Sequence, residues 1–139
     1  RKGEDGYLEY LEDLKKLQPD NNQVKADLAV EYLTLGQPAN AHKLLRETLE
    51  KDQFHLDALV LLTHMIEKKI DKTGTGLIEL KETLSNFKAS LELNPRSYAS
   101  NRLLARYFEL LGDQLKLEHH KQRLDFLAKV GIVEADLFA

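Results

Sequence analysis

Five histidines, His42, His55, His64, His119 and His120, are the side chains best suited to binding a metal or moving a proton at neutral pH. A zinc site needs about three or four converging ligands, and the chain has no cysteine to supply thiolates. His119 and His120 are sequence neighbours, so on a helix they project roughly 100° apart and cannot both face one ion. His64 and Glu67 share a helix face at i, i+3 and can hydrogen-bond, although a solvated surface pair is the ordinary role of that spacing. The 23 acidic residues are spread too evenly for any carboxylate pair to stand out. Asp71-Lys72-Thr73-Gly74-Thr75-Gly76 holds two glycines and two threonines. It lacks both the Gly-x-x-x-x-Gly-Lys-Ser/Thr phosphate cradle and the alternating ligands of a calcium loop, so it reads as a linker. No nucleophile stands with a base and an orienting partner. The expectation is a chain that is not an enzyme, with no catalytic, cofactor or metal residues.

Composition sets the bounds within which other functions are sought. The 139 residues, 42% hydrophobic and 31% charged, suit one domain with a genuine core. Twenty basic against 23 acidic side chains give a net charge of −3, so no global positive field draws in nucleic acid or an anionic membrane, and any basic site must be local. No apolar run approaches the roughly 20 residues of a membrane-spanning helix. The chain opens on Arg1 without a signal-peptide pattern, which points to a fragment of a longer protein and leaves its compartment open.

Helices must position whatever function remains. Beyond Gly3 and Gly6, glycine and proline fall at Pro19, Gly36, Pro38, Gly74, Gly76, Pro95, Gly112 and Gly131, and the segments between are rich in Leu, Ala, Glu and Lys at three-to-four spacing. The β-branched clusters sit inside that spacing, so no strand is expected. The pattern predicts seven helices over about 5–17, 23–35, 39–51, 56–69, 77–93, 97–111 and 115–129. Connections this short imply antiparallel helical hairpins.

The hairpins repeat. Leu28-Ala29-x-x-Tyr32-x-x-x-Gly36 recurs as Leu104-Ala105-x-x-Phe108-x-x-x-Gly112, and Pro19 recurs as Pro95, all 76 residues apart. That offset is twice 34 with eight to spare, and 34 is the period of one helix-turn-helix repeat. Leu62 lies 34 after Leu28, but Phe87 and Pro95 are eight residues later than the same period predicts, so an insertion lies between. The linker at Asp71–Gly76 predicts an enlarged turn there, followed by an extended second helix.

In these residues the chain resembles the tetratricopeptide repeat family. The copy at 22–55 carries Lys25, Leu28, Ala29, Tyr32, Gly36, Ala41 and Leu45 at family positions, with Lys25 where tryptophan is usual and Gln53 where proline is usual. The copy at 56–97 keeps Leu62, Phe87 and Pro95, with Thr63 and Ile66 at the small and aromatic positions. The copy at 98–131 keeps Leu104, Ala105, Phe108 and Gly112, while Leu117 stands where alanine is expected unless the loop has lengthened. Residues 1–21 fit the second helix of a half repeat, and 132–139 a capping helix or tail. The resemblance implies one all-α domain over 1–139, a right-handed superhelix of stacked hairpins. It also gives Ala29 and Ala41 a reason to be small, since a neighbouring helix occupies their space.

The resemblance further implies that first helices line a groove in which a partner lies. Subtracting the packed positions leaves Ala26, Val30 and Leu33, then Val60, His64 and Glu67, then Arg102, Arg106 and Glu109, each set spaced i, i+4, i+7. The stripe runs from apolar to positive, matching a protein or peptide segment with an apolar anchor and an acidic group held by Arg102 and Arg106. These arginines have an ordinary alternative, as a solvated face paired with Glu109 and other acidic neighbours. Some family members clamp chaperone C-termini with lysine, asparagine and arginine; the matching positions here hold Ala26, Val30, Leu61, Ala99 and Leu103, so that clamp is not expected.

The function expected is thus a non-catalytic protein-binding module or scaffold. Its alternative is a regulatory or accessory domain of a larger protein, an enzyme included. RNA binding by helical repeats usually needs a basic surface, which the net charge disfavours. Self-association through Tyr7, Leu8 and Leu11, or through Ile132, Val133, Leu137 and Phe138, is the remaining possibility.

Overall fold

A computed structural model describes the backbone of residues 2–131 and the side chains of residues 6–131. The described residues are all-helical, with seven helices and no strand: α1 (Lys2–Leu17), α2 (Asn22–Thr34), α3 (Pro38–Lys51), α4 (Leu56–Thr73), α5 (Leu77–Glu92), α6 (Tyr98–Leu111) and α7 (Gln114–Lys129). The C-terminal segment expected to cap or associate, Ile132 to Phe138, lies outside the described residues.

Local chemistry fixes the helix ends. The Asn21 side chain accepts hydrogen bonds from the Gln23 and Val24 amides, Ser97 accepts from Ser100, and Asp113 from Lys116, each filling donors that a first helical turn leaves open. His55 does the same for α4 through its ring, with Nδ1 accepting from the Ala58 amide at 3.2 Å. Two helices end alike. Gly36 and Gly112 take the left-handed conformation, at φ 75° and 72°. The Gln37 amide then reaches the Tyr32 carbonyl and the Asp113 amide the Phe108 carbonyl, while each glycine amide closes the inner bond, to Leu33 and Glu109. Both are Schellman turns, and the aromatic of each repeat motif supplies the carbonyl that anchors its own turn.

The helices sort into two compact units, up to Met65 and from Ile66 onward, with the division inside α4. In the first unit α2 packs against α1 and α3; in the second, α6 packs against α5 and α7. Helices joined by two or three residues and packed side by side form antiparallel hairpins, as α6–α7 and α2–α3 do.

Ala29 and Ala41 are both fully buried, as their small size demands, with Leu28 and Leu45 filling the space around them. Overpacking makes Ala41→Leu cost about 1–3 kcal/mol, which thermal melting would read as a lower transition; an unchanged melt would contradict this packing. The buried hydroxyls of Thr48 and Thr63 are satisfied within their own helices by the Leu44 and Leu59 carbonyls.

The eight extra residues of the middle hairpin are housed differently from the sequence expectation. The connection from α4 to α5 has three residues, 74–76, just as 35–37 join α2 to α3, so the turn is not enlarged. Helix α4 absorbs the difference at 18 residues against 13 for α2, and Asp71, Lys72 and Thr73 are helical rather than linker. The extended second helix contributes as well, α5 having 16 residues against 14 for α3, and the connection before α6 is one residue longer than that before α4. Helix formers at 66–73 simply continue an established helix, at less cost than opening a loop. Nor has the loop before α7 lengthened. Helix α7 starts 76 residues after α3, and Leu117 packs where Ala41 does, 7% exposed.

Candidate functional site

The residues predicted to face a partner have unequal fates. Ala26 is buried at 2% exposure and presents nothing to solvent. Val30, Leu33, Val60 and His64 are half-buried, and Arg102 is exposed. The remaining three meet in the second unit. The Arg106 guanidinium donates through Nε to Glu67 Oε1 at 2.8 Å and through Nη1 to Glu109 Oε1 at 2.6 Å, with Nη2 at 3.4 Å from Glu67 Oε2. The hydrogen bond to Glu67, ahead of that to Glu109, raises the arginine's pKa above its ordinary value. Two carboxylates around one cation leave a negative trio, so an incoming acid meets resident acids at Arg106.

A different arrangement collects positive charge. Helix α6 lies between α5 and α7, and a cleft of about 380 Å³ opens where the three approach, floored by Leu104 and Phe108. Lys116 and Arg123 stand on its α7 wall, and Lys88 on its α5 wall is joined to Glu92 at 2.6 Å. Three permanent cations against one carboxylate give the lining +2 with its histidines neutral, in a chain of −3.

A buried polar hub supports this lining. Asn101, 1% exposed, donates from Nδ2 to the Pro95 carbonyl at 3.0 Å and the Ser97 carbonyl at 2.8 Å. Its Oδ1 is left to accept, and it lies 2.9 Å from His120 Nδ1, so the network assigns the imidazole proton to Nδ1 and the lone pair to Nε2. The His120 ring stacks on Phe108 at 5.5 Å and 7°, and Lys116 Nζ sits 5.3 Å from the Phe108 centroid. His119 meets His120 edge-on at 5.0 Å. His120 is buried and His119 exposed, and both line the cleft.

Burial, then the charges of His119 and Arg123, lower the His120 pKa from its usual 6.5. Below about pH 6.5 the unfolded chain takes up a proton that the folded site resists, so this contribution to stability is complete above that pH and declines as pH falls. The His120 ring should titrate below 6.5 in a proton NMR titration. A midpoint above 6.5 would contradict its neutral, buried state.

The first unit holds a counterpart. A cleft of about 220 Å³ between α1, α2 and α3 is lined by nine residues, and each of them, moved by 76, lands on a lining residue of the larger cleft. Leu28 and Tyr32 become Leu104 and Phe108 on the floor; Asn40 becomes Lys116, Leu44 becomes His120, and Glu47 becomes Arg123. In the smaller cleft the Tyr32 hydroxyl donates to Glu12 Oε2 at 3.1 Å, bonding α2 to α1. Burial and then Glu12 push the tyrosine's pKa up. Its counterpart Phe108 has no hydroxyl to tie, and Glu12 is replaced by Lys88.

Sequence reasoning did not find the cleft or its hub. The signal was present in α7, where a histidine and two cations replace Leu44, Asn40 and Glu47. Compared with known proteins, the chain matches no family model and no curated protein.

Proposed function

We propose that this chain is a non-catalytic protein-binding module built from tetratricopeptide-type repeats, which holds a segment of a partner protein on its helical surfaces. The observation that carries this reading is the pair of equivalent clefts, lined at the same nine repeat positions but by different chemistry. Matching Schellman turns and the shared 76-residue offset of α2 with α6 and α3 with α7 support the same repeat. A scaffold that keeps its packing while varying its cleft side chains suits recognition rather than a reaction centre. Half-buried Val30, Leu33 and Val60 offer apolar contact on the first unit, and exposed Arg102 offers charge on the second.

The test is affinity capture from the source lysate with the immobilised chain, followed by mass spectrometry. Retention of a protein at physiological salt, released by excess free chain and reproduced with purified components, supports the proposal. A chain that retains nothing reproducibly in lysate, or that turns over a substrate by itself, overturns it.

A further inference from the structure

We propose that the cleft between α5, α6 and α7 is where the module grips its partner, by binding a Glu or Asp side chain of an extended peptide segment between Lys116 and Arg123. This rests on the protein-binding reading and gives it a place and a chemistry.

Charge complementarity selects the ligand. The lining carries +2 against a whole-chain charge of −3, and Lys88 is already engaged by Glu92. Among the described residues no carboxylate forms an ion pair with Lys116 or Arg123. A peptide carboxylate there gains charge-assisted hydrogen bonds without displacing a resident acid, in contrast to Arg106.

The position of Lys116 runs against local preference. It lies in the first turn of α7, three residues after the Asp113 cap, where the helix dipole and the capping geometry both favour a carboxylate. Its charge is held instead over the Phe108 ring, at the mouth of the cleft.

One lining position beside the apolar floor is polar where packing does not require it. Leu44 fills the equivalent place in the other cleft, whereas here His120 is 93% buried, lines the cleft and is fixed by Asn101. Its Nε2 lone pair can accept from a peptide amide, so the site offers cations for an acid beside an acceptor for the backbone. At about 30 Å³ per water the cleft holds roughly a dozen waters, enough for a side chain with its carboxylate but not for a folded element.

The experiment uses a fluorescein-labelled, terminally blocked decapeptide pool of Glu, Asp, Leu and Phe, read by anisotropy and by amide NMR shifts of the full chain. Binding is expected to perturb residues 101 and 116–123 and to weaken at least tenfold in the Lys116→Glu/Arg123→Glu variant. That variant should melt no lower than the native chain, because a glutamate at 116 suits the helix start. Lys116→Arg/Arg123→Lys should retain binding, and a pool with Gln and Asn in place of the acids should not bind.

Other outcomes overturn the cleft assignment. Charge reversal that leaves affinity within twofold, or shifts confined to α2 and α4, would place the peptide elsewhere while leaving the module reading standing. Equal shifts with inorganic phosphate, and no tighter binding of the pool, would make this an anion site only. Tight binding that requires a free C-terminal carboxylate would replace the acidic side chain as the ligand. No binding of the pool up to about 1 mM would end the proposal, while lysate capture decides the module reading independently.

Discussion

Asn101→Leu should unfold with about 2–4 kcal/mol less stability than the native chain in a denaturant titration. The side chain is 1% exposed and satisfies three groups at once. Leucine strands the buried His120 Nδ1 proton, at about 1–3 kcal/mol, and removes the hydrogen bond to the Pro95 carbonyl, at about 0.5–1.5 kcal/mol. The Ser97 carbonyl is not stranded, because it also accepts the backbone amide of residue 101 at 3.1 Å. Removing both ends of the hub separates this penalty from a simple loss of packing. Asn101→Leu/His120→Leu should recover more than half of the loss, since the first unit already accommodates a leucine, Leu44, at the position equivalent to His120. A single variant costing under about 1 kcal/mol would show that the hub is not a stabilising network.

Leu28→Ala and Leu104→Ala should each cost about 2–5 kcal/mol, the range for a buried leucine whose cavity only partly collapses. Both side chains are 2% exposed, each floors its own cleft, and each follows the same motif position. Calorimetry should show a drop on the order of 10 °C for either one. Comparable losses would mark them as the same structural part used twice. A near-neutral result at one position would mean that its unit has a core independent of the motif leucine.

The fold was legible because its determinants are local. Gly36 and Gly112 announce turns through a backbone conformation disfavoured for other residues, and Asn21, Ser97 and Asp113 mark helix starts through their own side chains. The eight-residue insertion misled because Gly74, Thr75 and Gly76 have loop composition, while Asp71, Lys72 and Thr73 extend α4. Those residues are helical because the chain before them is, and no property of the short stretch reveals that.

The site was less legible for a geometric reason. Helical spacing put Arg106 and Glu109 on one face of α6, but only the side-chain arrangement brings Glu67 of α4 to the same guanidinium and shows the arginine held by both acids. The Asn101–His120 contact spans two helices and 19 residues, so no periodicity within either helix exposes it. Internal alignment at 76 places both residues beside their first-unit counterparts, Lys25 and Leu44, and the departures stand out there.

The Tyr32–Glu12 bond and its missing counterpart show how equivalent positions are used differently in the two units. One oxygen atom separates Tyr32 from Phe108. With it, α2 is bonded to α1; at the equivalent place Lys88 turns to Glu92 instead. Leucine floors and glycine turns, which both units share, form the constant part of the design, and a change there is a change in whether the chain folds. Cleft walls are a separate alphabet, which differs between the two units while the floor leucine and the turn glycine stay the same.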